Sequence, residues 1–224
     1  MNYSKNKIFG NWDFYKLCIS VAVPVMAQQL IMGMVSLIDN FMVAGLGDTK
    51  MAAVNVANQL NFIYLVLLYT FYGAGGIYMA QNSGADNQEG MQQAFRFKVI
   101  LPFIISVIYM ILMLINPEIF MRLLTQGNYA QKEILESSSK YMKIIAFTFI
   151  PISISGAIGS SYREIGKPHI PLVISVIATA CNTFGNWILI YGNLGAPKLE
   201  ETGAAIATLI ARILEMAIFI IYIK

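Results

Sequence analysis

The chain has 224 residues, of which 57% are hydrophobic and only 12% are charged, about half the charged fraction of an ordinary soluble domain. The net charge is +3, and the fifteen Lys and Arg residues are scattered singly along the chain, which excludes a nucleic-acid interface. One histidine and two cysteines are too few for a metal cluster. So much apolar surface needs a bilayer as its solvent, which predicts an integral membrane protein.

Six apolar stretches of about 20 residues, the length that crosses a bilayer as a helix, follow one another along the chain. They cover about 17–45, 54–80, 97–116, 139–161, 170–192 and 202–223. None alternates with the period of two that is typical of a barrel strand. The sequence therefore predicts an all-α membrane protein in which residues 1–224 form a single six-helix transmembrane lobe. A short interfacial helix is expected in the segment 117–138.

The loop charges predict the orientation. With a cytoplasmic N-terminus, the inner loops hold eight Lys or Arg residues and the outer loops hold six. The inner set is Lys5, Lys7, Lys16, Arg96, Lys98, Arg163, Lys167 and Lys224. Because cytoplasmic loops carry an excess of positive charge, we expect a multi-pass protein of the plasma (inner) membrane with a cytoplasmic N-terminus.

Three charged residues fall inside predicted spans: Asp39, Arg212 and Glu215. An ionisable group at this depth usually faces a protein interior or a water-filled pathway. Arg212 and Glu215 are three residues apart on one helix, which favours mutual neutralisation. Asp39 has no basic residue within one helical turn, so it is either an interfacial residue near a helix end or a functional carboxylate.

Counting from the helix ends places further polar groups at the depth of Asp39, which lies about 9 Å inside the end of its span. Asn186 lies as far inside the outer end of span five, Asn182 lies one turn deeper on the same face, and Thr208 lies near the outer end of span six. A carboxylate, two amides and a hydroxyl form a site for a hard cation, or for a proton on the carboxylate. Interhelical hydrogen bonding is the equally weighted alternative.

Prolines and glycines mark the remaining features of the spans. Pro24 lies inside span one, about four turns below Asp39, and Pro151 lies inside span four. Each proline predicts a kink that is either a hinge coupled to the state of Asp39 or a static bend. Close helix packing is predicted for the glycines near the end of span two, Gly73, Gly75 and Gly76.

Four separate stretches together resemble one known family. They are Pro24 to Gly47 with Gln28, Gln29 and Asp39; Ala80 to Asn87; Ser161 to Pro168; and Asn182 to Gly192, followed by Thr202 to Thr208. In this order, they resemble the first half of the MATE (multidrug and toxic compound extrusion) family of cation-coupled exporters. The resemblance covers nearly the whole chain.

The resemblance implies antiport, in which Na⁺ or H⁺ enters while a small organic, often cationic, compound leaves. It places the cation or proton site at Asp39, Asn182, Asn186 and Thr208. Many relatives carry a second carboxylate where this chain has Asn186, so Asp39 would be the only titrating group of the site. A lipid or polysaccharide flippase of the same superfamily is the alternative within transport, and it would require a more cationic cavity.

Family members have twelve spans in two lobes, whereas six are predicted here. A lone lobe would expose the polar lining of its cavity to lipid. We therefore expect a second lobe, either in the same gene product, which we favour, or from another copy or a different chain. A truncated module that binds a partner without transporting is the competing hypothesis. The sequence has no phosphate loop and no hydrolytic constellation, so neither an enzyme nor a cofactor is predicted.

Overall fold

The structure, a computed structural model, describes residues 10–125 and 131–223; Lys5, Lys7 and Lys224, which contributed to the predicted orientation, lie outside these ranges. All regular secondary structure in the described ranges is helical. The helices are α1 (Trp12–Ala44), α2 (Asp48–Gly84), α3 (Gln88–Ile115), α4 (Pro117–Thr125), α5 (Gln131–Ile145), α6 (Phe149–Glu164), α7 (His169–Tyr191) and α8 (Glu200–Tyr222). With α5 and α6 forming one span, six spans among the described residues are long and apolar enough to cross a membrane, and the predicted fold class is confirmed.

The fourth span begins earlier than the sequence predicts. Its helix already starts at Gln131, because residues 131–138 form about two amphipathic turns rather than a polar linker. Ile134 and Leu135 are buried on one face, while Glu133 and Glu136 are exposed on the other. The short helix predicted in 117–138 is present as α4.

Helices α7 and α8 form a tight antiparallel pair, joined by a turn in which Gly192 has a left-handed backbone with φ of 76°. Small residues bring the two helices together. A Cβ added at Gly203 would lie 2.5 Å from the Leu189 carbonyl oxygen, and one added at Gly185 would lie 3.0 Å from the Ala207 Cβ. This close contact sets the spacing between the polar side chains that the two helices carry.

A second close-packed region joins α2, α3 and α6. Lys98 is fully buried in α3, where its Nζ lies 2.5 Å from Glu164 Oε2 and donates to Ser161 Oγ at 3.0 Å. Gly75 packs against Lys98 and Gly76 packs against Glu164, so the close packing predicted for these two glycines is confirmed. Lys98 was assigned to an inner loop by the charge count; it instead neutralises a carboxylate inside the helix bundle.

The packing predicted for Gly73 is wrong, because a Cβ built on it meets nothing within 4 Å. Gly73 lies on the exposed face of α2, whereas Gly75 and Gly76 face the bundle. The occurrence of glycines close together in a helical sequence does not tell which of them face the bundle and which face outward.

Helix α1 lies at the edge of the bundle and packs mainly on α7. Of its 33 residues, only Gln28 and Val43 are buried. Polar contacts hold it in place: Gln28 Nε2 donates to Ser175 Oγ at 2.8 Å, and Tyr191 Oη donates to the Met42 carbonyl at 3.1 Å. Because few apolar contacts fix α1, it is the span that costs least to move.

The core of the bundle lies between α2, α3, α5 and α6 and is built around Tyr64. The Tyr64 ring packs against Phe149 with 4.4 Å between ring centroids, and its hydroxyl donates to the Phe149 carbonyl at 2.7 Å. Tyr64 also lines the polar cavity described next, so the rigid core forms one wall of that cavity.

Candidate functional site

A polar cavity of about 520 Å³ lies between α1, α2, α7, α8 and the junction of α5 with α6. Six asparagines line it, together with three threonines and two tyrosines. Within residues 10–125 and 131–223, the only charged side chains on its wall are Asp39 and Arg212. So polar a lining at membrane depth indicates a binding or transport pathway.

The structure brings together all four residues predicted for the site. Asn186 Nδ2 donates to Asp39 Oδ1 at 2.7 Å, which joins α7 to α1. Asn182 lies one turn away on the same face of α7 and forms a hydrogen bond of 3.2 Å with Thr208 Oγ1 on α8. The similar depth deduced from the helix ends corresponds to direct contacts between three helices.

The Asn182 amide lies between Asp39 and Thr208. Oriented so that both of its polar atoms are satisfied, its nitrogen donates to Asp39 Oδ2 at 3.0 Å and its oxygen accepts from Thr208 N and Oγ1, each at 3.2 Å. With Asn186, this gives the two carboxylate oxygens of Asp39 one amide donor each.

Asn186 supplies an unused acceptor to the same site. Its side chain is 2% exposed, and its Oδ1 has no hydrogen-bond partner among the residues that the structure describes. A buried amide oxygen left unpaired costs about 1–3 kcal/mol. The carboxylate, the two amide oxygens and the Thr208 hydroxyl are the ligand types that hard cations prefer. These oxygen ligands are therefore of the types that suit Na⁺, and the Asp39 carboxylate can equally take a proton.

The second charged side chain on the cavity wall, Arg212, is neutralised by a carboxylate that does not line the cavity. Arg212 Nη1 donates to Glu215 Oε2 at 2.7 Å, which confirms the predicted pairing within α8. Glu215 is buried, and its Oε1 accepts from Ser175 Oγ at 3.3 Å. With Arg212 compensated by Glu215, the cavity carries the single negative charge of Asp39.

The two predicted proline positions differ in their surroundings. Pro24 lies within α1, which continues as one helix from Trp12 to Ala44. Pro151 is the third residue of α6 and follows the 3₁₀ turn Ala146–Thr148, because a proline cannot complete the α-helical hydrogen bonds of the turn before it. Thr148 and Phe149 of this junction line the cavity.

Several cavity residues were not predicted from the sequence. They are Asn40, Asn55, Asn58 and Asn61, and Arg212 was predicted only as half of an ion pair. The spacing of Asn55, Asn58 and Asn61 at intervals of three was the available indication, since such residues share one helix face. Their meeting with Asp39 depends on how α2 is rotated against α1, which the sequence pattern does not reveal.

These features define a multi-pass α-helical membrane protein. In the part of the chain that the structure describes, six spans surround a polar cavity with one uncompensated carboxylate. The chain belongs to the MatE family, whose family model matches residues 24–188. The family predicted from the four sequence stretches is thereby confirmed.

Individual relatives agree with this assignment. A probable multidrug resistance protein NorM from Thermotoga maritima is 24% identical over 205 residues, a match that covers 89% of this chain and 42% of the relative. A probable NorM from Photorhabdus laumondii is 26% identical over 215 residues, covering 96% and 46% respectively. The chain thus spans about half the length of the curated relatives it matches.

Solved structures share the fold. A MOP superfamily transporter from Pyrococcus furiosus superposes with a TM-score of 0.81 at 22% identity, covering 93% of this chain and 44% of that one. Again, the whole of the six-helix unit corresponds to less than half of the solved chain.

Proposed function

We propose that this chain forms the N-terminal lobe of a cation-coupled antiporter, in which Na⁺ or H⁺ moves inward as organic, often cationic, compounds are exported. The observation that carries the proposal is the Asp39 carboxylate, held between the amides of Asn186 and Asn182 at membrane depth. Family membership and the NorM relatives support efflux as the activity.

The coupling step is an exchange of the group that neutralises Asp39. When Asp39 is ionised, both asparagine amides donate N–H groups to it. When a proton or Na⁺ binds, Asp39 no longer needs both amide donors, and the unpaired Oδ1 of Asn186 lies in the same site to serve the bound cation.

Antiport follows from competition for one negative charge. An organic cation and the coupling ion both need the uncompensated Asp39, so occupancy by one disfavours the other. Release of the exported compound is then linked to uptake of Na⁺ or H⁺.

Helix α1 is the proposed moving element. It carries Asp39, has little buried apolar surface, and contains Pro24, at which the helix lacks one backbone hydrogen bond. Neutralising Asp39 weakens one of the few polar contacts that hold α1 to α7. In the same proposal, the junction before Pro151 is a second place where bending would reshape the cavity.

The complete pathway is proposed to need a second lobe, in the same gene product or from another copy. Asn55 and Asn58 are exposed on the cavity wall, and polar groups at this depth need cover from lipid. The small organic substrate would then bind between the lobes. We further propose that the N-terminus is cytoplasmic and that the protein lies in the plasma (inner) membrane.

The test replaces Asp39 by Asn in the protein as its gene encodes it, reconstituted into liposomes. Efflux of ethidium is measured against separately imposed Na⁺ and pH gradients. We expect D39N to abolish gradient-driven efflux while the protein remains inserted. The matched control is D86N, the same chemical change at an exposed loop carboxylate whose left-handed backbone (φ 53°) asparagine tolerates.

Gradient-driven efflux that survives in D39N would refute the coupling role. A non-transporting module predicts no efflux from the wild type and no effect of D39N. A flippase of lipid or polysaccharide is less favoured, because Arg212 is the one cationic side chain on the cavity wall within the described ranges, and Glu215 neutralises it.

A further inference from the structure

Helix α1 is joined to α7 by two side-chain hydrogen bonds that have the same register. Gln28 Nε2 donates to Ser175 Oγ at 2.8 Å, and Asn186 Nδ2 donates to Asp39 Oδ1 at 2.7 Å. In each pair the residue of α7 follows its partner by 147 positions, so the two helices run parallel. The bonds lie about three turns apart, which is about 17 Å along the helices. We refer to them as the Gln28 contact and the Asp39 contact.

The Gln28 contact is the main polar hold on the part of α1 that precedes Asp39. Between Trp12 and Ile38, Gln28 is the only described residue whose side chain hydrogen-bonds to another helix. It is also the only buried side chain of that stretch. Pro24 lies one turn before it, where α1 lacks a backbone hydrogen bond. The strength of this contact therefore determines how firmly the beginning of α1 is held on α7.

The Gln28 contact continues into α8. The Pro171 carbonyl lies 3.5 Å from Gln28 Nε2 and can only accept, which fixes the amide so that Ser175 Oγ accepts from it. The Ser175 hydroxyl then donates its own hydrogen to Glu215 Oε1 at 3.3 Å. The other oxygen of Glu215 accepts from Arg212 Nη1 at 2.7 Å. We refer to Gln28, Ser175, Glu215 and Arg212, which lie on three helices, as the hydrogen-bond chain.

The last residue of the hydrogen-bond chain lies in the electric field of Asp39. Arg212 and Asp39 line the same cavity, whereas Glu215 does not line it. Arg212 is therefore attracted by two carboxylates, Glu215 in direct contact and Asp39 within the cavity. When Asp39 loses its charge, only Glu215 attracts the guanidinium. The pair of Arg212 with Glu215 then tightens, and the Glu215 carboxylate becomes a weaker acceptor for other donors.

We propose that Ser175 is a positioning residue for transport, which transmits the charge state of Asp39 to the Gln28 contact. This inference rests on the proposed function and adds to it a residue outside the cavity. Consecutive hydrogen bonds polarise one another, so a hydroxyl that donates strongly to a carboxylate also accepts more strongly. With Asp39 ionised, Ser175 holds Gln28 firmly. With Asp39 neutral, the Gln28 contact weakens together with the Asp39 contact, and α1 is released at both places.

A purely structural role is the other explanation of the hydrogen-bond chain. Gln28, Ser175 and Glu215 are buried, and buried polar groups need partners whether or not they carry a signal. On that explanation, removing the Ser175 hydroxyl loosens α1 but leaves its response to the charge of Asp39 intact. The proposal requires the response itself to disappear. The response, not the resting position of α1, is therefore the quantity to measure.

The test measures the distance between spin labels on α1 and α7 by double electron–electron resonance, in the full protein in lipid nanodiscs. One label is attached to Cys18, which is exposed on α1, and the other to a cysteine introduced by His169→Cys at the exposed start of α7. All other cysteines are replaced. Each variant is measured with Asp39 and with D39N, its neutral isostere, in Na⁺-free buffer at alkaline pH. The change of the distance distribution on D39N is the response.

We expect D39N to broaden the distribution of distances in the otherwise unchanged protein, because both contacts of α1 with α7 weaken. In S175A the distribution should already be broad, and D39N should add no further broadening. Ser175→Thr keeps the hydroxyl and should keep the response. The double variant R212Q/E215Q leaves Gln28 and Ser175 in place but removes the ion pair, so it should lose the response even if S175A fails to fold.

Ser160→Ala is the matched control. Ser160 is a buried serine of α6 whose hydroxyl donates to the Ala157 carbonyl of its own helix at 3.1 Å, so it joins no second helix. Its replacement removes the same buried hydroxyl group without touching the hydrogen-bond chain. The response to D39N should be fully retained.

A response that persists in S175A or in R212Q/E215Q would overturn the inference, as would its absence in the otherwise unchanged protein or its loss in Ser175→Thr or Ser160→Ala. Gradient-driven ethidium efflux of the same proteins in liposomes separates this failure from that of the proposed function. If D39N abolishes efflux while S175A still responds to it, only the role of Ser175 fails. Efflux that survives in D39N would instead refute the proposed function.

Discussion

Asn186 on α7 donates its Nδ2 to Asp39 Oδ1 on α1 at 2.7 Å, while its own Oδ1 is buried and has no partner in the described chain. The Asn186 amide thus donates one hydrogen bond to the carboxylate, and its oxygen is free to bind an incoming cation. An amide at this position also leaves the site with one negative charge. The strength of cation binding should depend on this choice of residue.

Replacing Asn186 by Asp should tighten Na⁺ binding by about tenfold or more, because a second carboxylate at hydrogen-bond distance adds direct charge attraction. Calorimetric Na⁺ titration measures the change. N116D serves as the control, since it adds the same charge at the exposed end of α3, away from the cavity. Unchanged Na⁺ affinity in N186D would show that Na⁺ does not bind at this site.

Thr208→Val should weaken cation binding about fivefold, because valine keeps the shape of threonine but removes the hydroxyl that hydrogen-bonds to the Asn182 amide at 3.2 Å. Thr208→Ser should retain most of the affinity. The comparison of the two variants separates the hydroxyl from packing. If serine and valine behaved alike, the hydroxyl would have no part in coupling.

The charge of the cavity can be changed through Glu215 without touching Asp39. E215Q should abolish binding of organic and inorganic cations, because Arg212 is then uncompensated and offsets Asp39. The double variant R212Q/E215Q restores the net charge of −1 and should recover binding to within about tenfold. Tryptophan fluorescence or calorimetry follows the titration. Failure of the double variant to recover would show that Glu215 acts through packing or through Ser175.

The distance between α7 and α8 should control both stability and the site. Gly203→Ala places a methyl group against the Leu189 carbonyl and should lower the free energy of unfolding by about 1–3 kcal/mol. It should also weaken cation binding, since it separates Asn182 from Thr208. Gly33→Ala on α1 is the matched control, because a Cβ there meets nothing within 4 Å. Thermal unfolding in detergent should be unchanged or slightly raised in Gly33→Ala, and an equal loss in both variants would contradict the packing role.

The sequence predicted the membrane-spanning helices better than it predicted which residues of a helix face the bundle. Six apolar stretches gave six spans, and Asp39, Asn182, Asn186 and Thr208 were placed at one depth by counting turns. Gly73 was wrongly placed in a helix contact, and Lys98 was wrongly placed in a loop. The error at Gly73 concerns the side of a helix on which a residue lies, which hydropathy resolves poorly when a helix is apolar all round. The error at Lys98 concerns the start of α3, which begins at Gln88 and so carries Lys98 into the bundle.

The sequence by itself determined that the chain is a six-span membrane protein of the MatE family with one isolated carboxylate at membrane depth. Those properties follow from local composition, helix length and residue order. The tertiary structure alone decided that Asn182 and Thr208 form a hydrogen-bonded pair beside Asp39, and that Asn55, Asn58 and Asn61 of α2 line the same cavity. These depend on helix rotation and on interhelical distance, which small-residue contacts such as Gly203 with Leu189 set across the fold.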